Sequence, residues 1–120
     1  MKPKISVRLA EESDKNHLIE WLLQKGVLDG FPLLDQAEVE DAARIWMSYQ
    51  KDGAVLTALA DGKPCGIANL YLQPYQKLSH HALFAIIVDE PFRGMGIGSF
   101  LVRELMHLAK EKFGLKILHL

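Results

Sequence analysis

The rhythm of hydrophobic and polar positions changes repeatedly along this chain, and each change predicts an element. Ile5–Leu9 (ISVRL) alternates apolar and polar, as a half-buried strand does. Beyond it, Ser13 or Asp14 can cap a helix whose apolar stripe is Leu18, Ile19, Trp21, Leu22 and Leu23, closed off by Gly26. Val27–Leu34 (VLDGFPLL) carries Gly30 and Pro32 and so reads as a loop, although an unusually apolar one. Asp35 then caps a second helix, with Glu38 in capping-box position and Val39, Ala42, Ala43, Trp46 and Tyr49 on the buried side.

From Gly53 the pattern is that of strands. Ala54–Ala60 (AVLTALA) and Cys65–Gln73 (CGIANLYLQ) flank Asp61-Gly62, a strong two-residue hairpin turn. After a polar connection around Pro74 to Ser79 comes His81–Val88 (HALFAIIV), apolar almost throughout, which predicts a strand at the centre of the sheet. An Arg-Gly-rich turn, Arg93–Gly98 (RGMGIG), leads from it into a helix. On that helix Leu101, Leu105 and Leu108 share a face, joined by Val102, Met106, Ala109 and Phe113, while Arg103, Glu104, Lys110 and Glu111 take the wet side. Gly114 stops the helix, and Leu115–Leu120 (LKILHL) begins another strand.

Composition narrows the class without naming a function. With 120 residues, the chain reads as one domain, 1–120, with a single core and no internal repeat or linker. Fourteen basic against fifteen acidic residues, with no charge block, argue against nucleic acid or an anionic membrane surface as partner. No apolar run approaches the roughly 20 residues of a membrane span. Cys65 is the only cysteine and can form no internal disulfide, and the opening MKPKISVRLAEESDK lacks the apolar core of a signal peptide. The expected setting is cytoplasmic.

The glycine turn is the feature that points to chemistry. Gly94, Gly96 and Gly98 alternate, so the backbone N–H groups are uncovered, and the helix that follows adds unpaired donors and the positive end of its dipole. Strand, bare turn and helix start in this order make a socket for phosphate. The dinucleotide fingerprint does not fit: counted from Gly94, its sixth position is Ser99, and Lys112 and Lys116 stand where an acid is required. Nor does a P-loop, since no glycine here precedes a lysine followed by Ser or Thr in that frame. A plain strand-to-helix turn needs one or two glycines, fewer than are present.

The frame that fits is R-x-x-G-x-G, with Arg93, Gly96 and Gly98, and with Gly94 and Ile97 in commonly favoured slots. On these residues, and on the order of elements around them, most of the chain resembles the GNAT superfamily of acyl-coenzyme A-dependent N-acetyltransferases. The resemblance implies an α/β (α+β) fold, a mixed, largely antiparallel sheet flanked by helices on both faces. It implies an enzyme that moves an acetyl group from acetyl-CoA to a primary amine of a small molecule or peptide by direct attack. The pyrophosphate would lie on the N–H groups of Arg93, Gly94, Met95, Gly96, Ile97, Gly98 and Ser99, and pantetheine alongside the strand carrying Ile86 and Val88. The sheet would part between that strand and Leu115–Leu120. The family's usual last two strands and their helix have no counterpart here, so the expected fold is C-terminally incomplete. Its bare terminal edge would invite pairing into a homodimer.

Candidate chemistry follows from the reaction. A thioester carbonyl needs a donor that strengthens as its oxygen becomes an oxyanion, and the Val88 N–H is the candidate. A base near neutral pKa would take the amine proton; His80 and His81 head the central strand, and only one can face the site, so His81 is named. The pair is a poor metal site, because no third ligand stands at matching spacing. Asp89 and Glu90 could act through a water chain. The tyrosine that many members carry beyond the next strand has no equivalent, since Tyr49, Tyr71 and Tyr75 all precede the glycine turn. In related proteins the segment between the first two helices walls the acceptor site, which nominates Phe31 and Leu33. Cys65 reads as a buried small residue, Trp21 and Trp46 as core, and His17 and His107 as surface or packing positions. Two alternatives stay open: a catalytically silent CoA-binding module or half of a composite dimeric site, and a purely structural interaction domain.

Overall fold

The computed structural model describes residues 3–24, 36–71, 81–113 and 117–119. The element order is β1 (Ile5–Leu9), α1 (Asp14–Leu22), α2 (Gln36–Trp46), a 3-10 helix (Met47–Asp52), β2 (Val55–Ala60), β3 (Lys63–Tyr71), β4 (His81–Val88), a short 3-10 turn (Glu90–Phe92), α3 (Ile97–Phe113) and β5 (Ile117–His119). The five strands form one sheet in sequence order. The first three ladders are antiparallel, and β4 pairs with β5 in parallel, with α3 as the crossover between them.

Helices cover both faces of this sheet because its strands are apolar on both. Leu56, Ala58 and Ala60 of β2, with Ala68 and Leu70 of β3, pack against Ile97, Leu101, Leu105 and Ala109 of α3. Val55, Ile67 and Ile87 look the other way, onto Leu18 and Trp21 of α1, Ala43 of α2 and Met47. The alanines of β2 give α3 room to lie close. Burying leucines such as Leu101 and Leu105 completely stabilises the fold by roughly 2 kcal/mol each and pins the first turns of α3 to the sheet.

Several expectations hold at the residue. Asp61-Gly62 turns the β2–β3 hairpin with φ of 50° and 84°, the positive values that a type I′ turn requires. The strand at 81–88 has the expected bounds. Other expectations need correction. The apolar run of β4 does not lie at the centre of the sheet, a place β3 holds; the run is apolar because Ile87 meets the α1 layer while Phe84, Ile86 and Val88 pack toward α3. β3 starts at Lys63, since Pro64 sits beside a bulge that leaves Cys65 without a partner between the Ala58–Gly66 and Leu59–Pro64 pairs. Leu23 and Met106 are about half exposed and Ala42 is exposed: the buried rows are narrow i, i+4 rows, Val39–Ala43–Met47 and Ile97–Leu101–Leu105–Ala109.

Neither proposed cap of α1 serves as one. Ser13 makes no side-chain cap bond. The Asp14 carboxylate turns back instead, accepting from the Glu11 N–H at 2.8 Å, from the Thr57 hydroxyl at 2.8 Å and from the Arg8 guanidinium. Asp35 lies outside the described residues, as does the strand end at 72–73.

Candidate functional site

The site begins with the direction of main-chain groups on β4. The Asp89 N–H donates to the Cys65 carbonyl at 2.8 Å, in the same register that sets Val88 opposite Gly66. An antiparallel ladder alternates, so Ile87 and Ala85 also exchange bonds with β3, whereas Ile86 and Val88 direct their N–H and C=O groups to the other side. That side belongs to β5, whose ladder reaches only His81, Ala82 and Leu83. Among the described residues no strand pairs with β4 beyond Leu83 on that side. The two strand residues nominated from sequence are therefore those with outward-facing main chain near the glycine turn.

The chain then runs through the Glu90–Phe92 turn into the glycines. Gly94 and Gly96 take φ of +81° and +79°, values costly for any residue with a Cβ. Among the described residues no atom beyond the chain neighbours lies within 4 Å of where a Cβ would stand at Gly94, Gly96 or Gly98, so this stretch of main chain is bare there. Arg93, Met95 and Ser99 are exposed, and Gly98 is half-buried. Ile97 differs from its neighbours: its side chain is buried in the α3 core, and only its N–H can serve a ligand. The Phe100 N–H is the first in α3 to reach an intrahelical acceptor, the Gly96 carbonyl at 3.0 Å. The N–H groups of Ile97, Gly98 and Ser99 thus stand at the open helix start, with the positive end of the dipole behind them. Bare turn, free donors and helix dipole fit an anionic diphosphate without a lysine.

Side chains brace the approach to this turn. Arg93 Nε donates to the Val88 carbonyl at 3.0 Å, and Arg93 Nη2 donates to Gln24 Oε1 at 3.1 Å. Gln24 Oε1 also accepts from the Glu90 N–H at 3.1 Å, while Gln24 Nε2 donates to Asp89 Oδ1 at 2.6 Å. Below the turn, a Cβ at Gly66 would meet Leu101 Cδ1 at 3.0 Å, the Ile87 carbonyl at 3.1 Å and Ile97 Cγ2 at 3.6 Å, so Gly66 sets how closely α3 approaches the sheet.

The remaining candidates divide. His81 opens β4 opposite Ile117, with only its backbone described. His80, Phe31 and Leu33 lie outside the described residues. His17 stacks on Trp21 with ring centroids 5.8 Å apart, a packing role, and His107 is exposed. Burial, aided by the Asp89 carboxylate, pushes the Cys65 thiol up to about 11, which suits no nucleophile. Gln24 was not visible from sequence, because its partners stand 65 to 69 residues away. Gly66 left a trace, since a glycine inside a strand pattern marks close approach of another element. No helix among the described residues is long and apolar enough to cross a membrane.

Comparison with known proteins agrees with this geometry. The sequence profile of the acetyltransferase (GNAT) family matches residues 16–120. No curated protein matches the chain. Among solved structures, the ribosomal-protein-alanine N-acetyltransferase of Brucella melitensis superposes with a TM-score of 0.67 at 25% identity, over 90% of this chain and 68% of that one. A GCN5-related N-acetyltransferase of Kribbella flavida gives 0.71 at 23% identity, over 91% and 67%. The yncA protein of Salmonella typhimurium, in a structure with its cofactor acetyl-CoA, gives 0.68 at 18% identity, over 93% and 66%. With the profile spanning nearly all of the sequence and the fold agreeing, this chain belongs to the acetyltransferase (GNAT) family.

Proposed function

We propose that this protein transfers an acetyl group from acetyl-CoA to a primary amine by direct attack, without a covalent enzyme intermediate. The observation that carries the reading is that the outward-facing main chain of Ile86 and the Val88 N–H lie at one end of a bonded turn, Asp89–Arg93, whose other end is the bare glycine stretch and open helix start at Ile97. In this reading the N–H groups of Gly94 to Ser99 hold the diphosphate, the expected Arg93 N–H being given instead to the Glu90 carbonyl at 3.2 Å, and the outward main chain of Ile86 with the Val88 N–H holds pantetheine as a further strand would. Bound there, acetyl-CoA supplies the acetyl group as an activated thioester. The Val88 N–H faces the carbonyl oxygen as charge develops on it. The Val88 carbonyl accepts from Arg93 and the Asp89 N–H donates to Cys65, so both polar groups of the 88–89 peptide are held at the end of β4. His81 is the proposed base for the amine, and Phe31 and Leu33 the acceptor wall. Much of the rate then comes from positioning, because a thiolate is a good leaving group.

The test is calorimetry with CoA, followed by thiol release from acetyl-CoA over a panel of small-molecule and peptide amines. Binding together with amine-dependent thiol release is expected. Binding without release across the panel would leave a CoA-binding module and remove the transferase reading. Folded protein that retains no CoA at millimolar concentration would remove both.

A further inference from the structure

The Gln24 side chain stands just past the end of α1, yet its three hydrogen bonds to described residues all reach the lead-in to the glycine turn. Its oxygen accepts from the Glu90 N–H and from Arg93 Nη2, each at 3.1 Å, and its nitrogen donates to Asp89 Oδ1 at 2.6 Å. This arrangement fixes the amide's orientation, since a flip would set nitrogen against two donors and oxygen against a carboxylate. It also selects glutamine. A glutamate cannot donate to Asp89, and a lysine cannot accept from Glu90 or Arg93.

We propose that Gln24 is a positioning residue for the acetyl-CoA site: through Asp89, Glu90 and Arg93 it ties the end of α1 to the segment joining Val88 to the helix start. The role rests on the acetyl-CoA reading above. The three bonds hold successive parts of that segment: a side chain directly after Val88, a main-chain N–H one residue further, and the arginine that opens the turn. Arg93 in turn grips the Val88 carbonyl, so Gln24 restrains both ends of the span at once. Two of the guanidinium's nitrogens, Nε and Nη2, are thereby directed at the protein. Among the described residues, no residue of α1 itself reaches this segment by a side-chain hydrogen bond.

The experiment is a charge swap across the Gln24–Asp89 bond, read in two ways. Hydrogen exchange of the amides at 89–99 in the free protein reports the restraint itself, and calorimetry with CoA reports its consequence. Q24E sets a carboxylate against Asp89 and is expected to speed exchange and weaken CoA binding roughly fivefold to tenfold. Q24E/D89N restores a donor opposite the new carboxylate and is expected to return both readings toward wild type, a rescue that a merely space-filling residue would not give. If Q24E does not fold, Gln24→Ala supplies the same loss, and the double variant still supplies the rescue. Wild-type protein that binds CoA while Q24E binds it equally, or a loss that D89N does not repair, overturns the role of Gln24 and leaves the acetyl-CoA reading standing. Wild-type protein that binds no CoA overturns that reading and this role with it.

Discussion

Arg8 and Asp14 face each other through two parallel hydrogen bonds, Nη1 to Oδ2 at 2.7 Å and Nη2 to Oδ1 at 3.1 Å, with the carboxylate 2% exposed and the guanidinium 30%. The same carboxylate takes the Glu11 N–H and the Thr57 hydroxyl, so it joins the end of β1, the start of α1 and the middle of β2. Three of these four donors, the two guanidinium N–H groups and the Glu11 N–H, can only donate, and the Thr57 hydroxyl alone could turn to accept. An asparagine has one acceptor oxygen where this site uses two.

Asp14→Asn is therefore expected to cost about 2–4 kcal/mol of stability at neutral pH. Burial pushes the Asp14 carboxyl up, but the bonds from Arg8, Glu11 and Thr57 and the Arg8 charge outweigh it and hold the carboxyl below its ordinary value of 3.8. A depressed pKa contributes stability that is complete above the unfolded value and is lost as pH falls through the folded one. The gap between wild type and variant in urea unfolding should hence be widest near neutrality and shrink below about pH 4. A gap that stays constant to pH 2 would show that the ionised carboxylate is not what stabilises this corner.

Cys65 supplies a prediction at the other end of the pH scale. Its thiol is fully buried and raised to about 11 from an ordinary 9.0. Native protein at pH 8 is expected to resist thiol reagents until it unfolds. Because the folded state favours the neutral thiol, its contribution is complete below pH 9 and is lost as pH rises toward about 11. Cys65→Ala should flatten the alkaline fall in stability over that window, compared with wild type in otherwise identical melts.

What the sequence made legible was local or periodic. The Asp61-Gly62 turn, the bounds of β1 and β4 and the glycine turn all follow from short-range conformational rules, and the structure carries them at the expected residues. What escaped depends on partners distant in the chain. Asp14 looks like a cap by position, yet its carboxylate is claimed by Thr57, 43 residues on. Gln24 has no local signature, since its role exists only once α1 docks beside β4. The 3-10 helix at Met47–Asp52 continues the apolar row of α2 through Met47, so hydrophobic period alone does not reveal where the α-helix ends. The family resemblance was legible because the main chain carries it: glycines are the one residue type whose identity reports backbone conformation directly.

Gly66 couples the core to the site and can be tested apart from it. A methyl there would press on the Ile87 carbonyl at 3.1 Å, which cannot swing aside, and on Leu101 Cδ1 at 3.0 Å, while Ile97 Cγ2 at 3.6 Å stays in ordinary contact. Gly66→Ala is expected to cost about 1–3 kcal/mol and to weaken CoA binding as well, because Leu101 sits one turn into the helix whose first N–H groups face the ligand. Paired thermal melts and calorimetry check this. A loss of stability with unchanged affinity would mean that the glycine turn keeps its shape independently of how α3 is seated.

Gly96 and Gly98 look equivalent in the motif but differ in conformation. Gly96 holds φ of +79°, while Gly98 lies inside α3 and has no left-handed φ; neither has a described neighbour within 4 Å of an added Cβ. Alanine at 98 therefore meets no clash and should raise stability by about 0.4–1 kcal/mol, through reduced freedom of the unfolded chain. Alanine at 96 opposes its own backbone by about 1–2 kcal/mol. Because the turn is exposed, it can relax in the free protein, and CoA must then force it back. Gly96→Ala should consequently lose roughly tenfold in CoA affinity with little change in melting temperature. Its loss of affinity should exceed that of Gly98→Ala. Equal affinities in the two variants would mean that the positive-φ turn is not the conformation that receives the diphosphate.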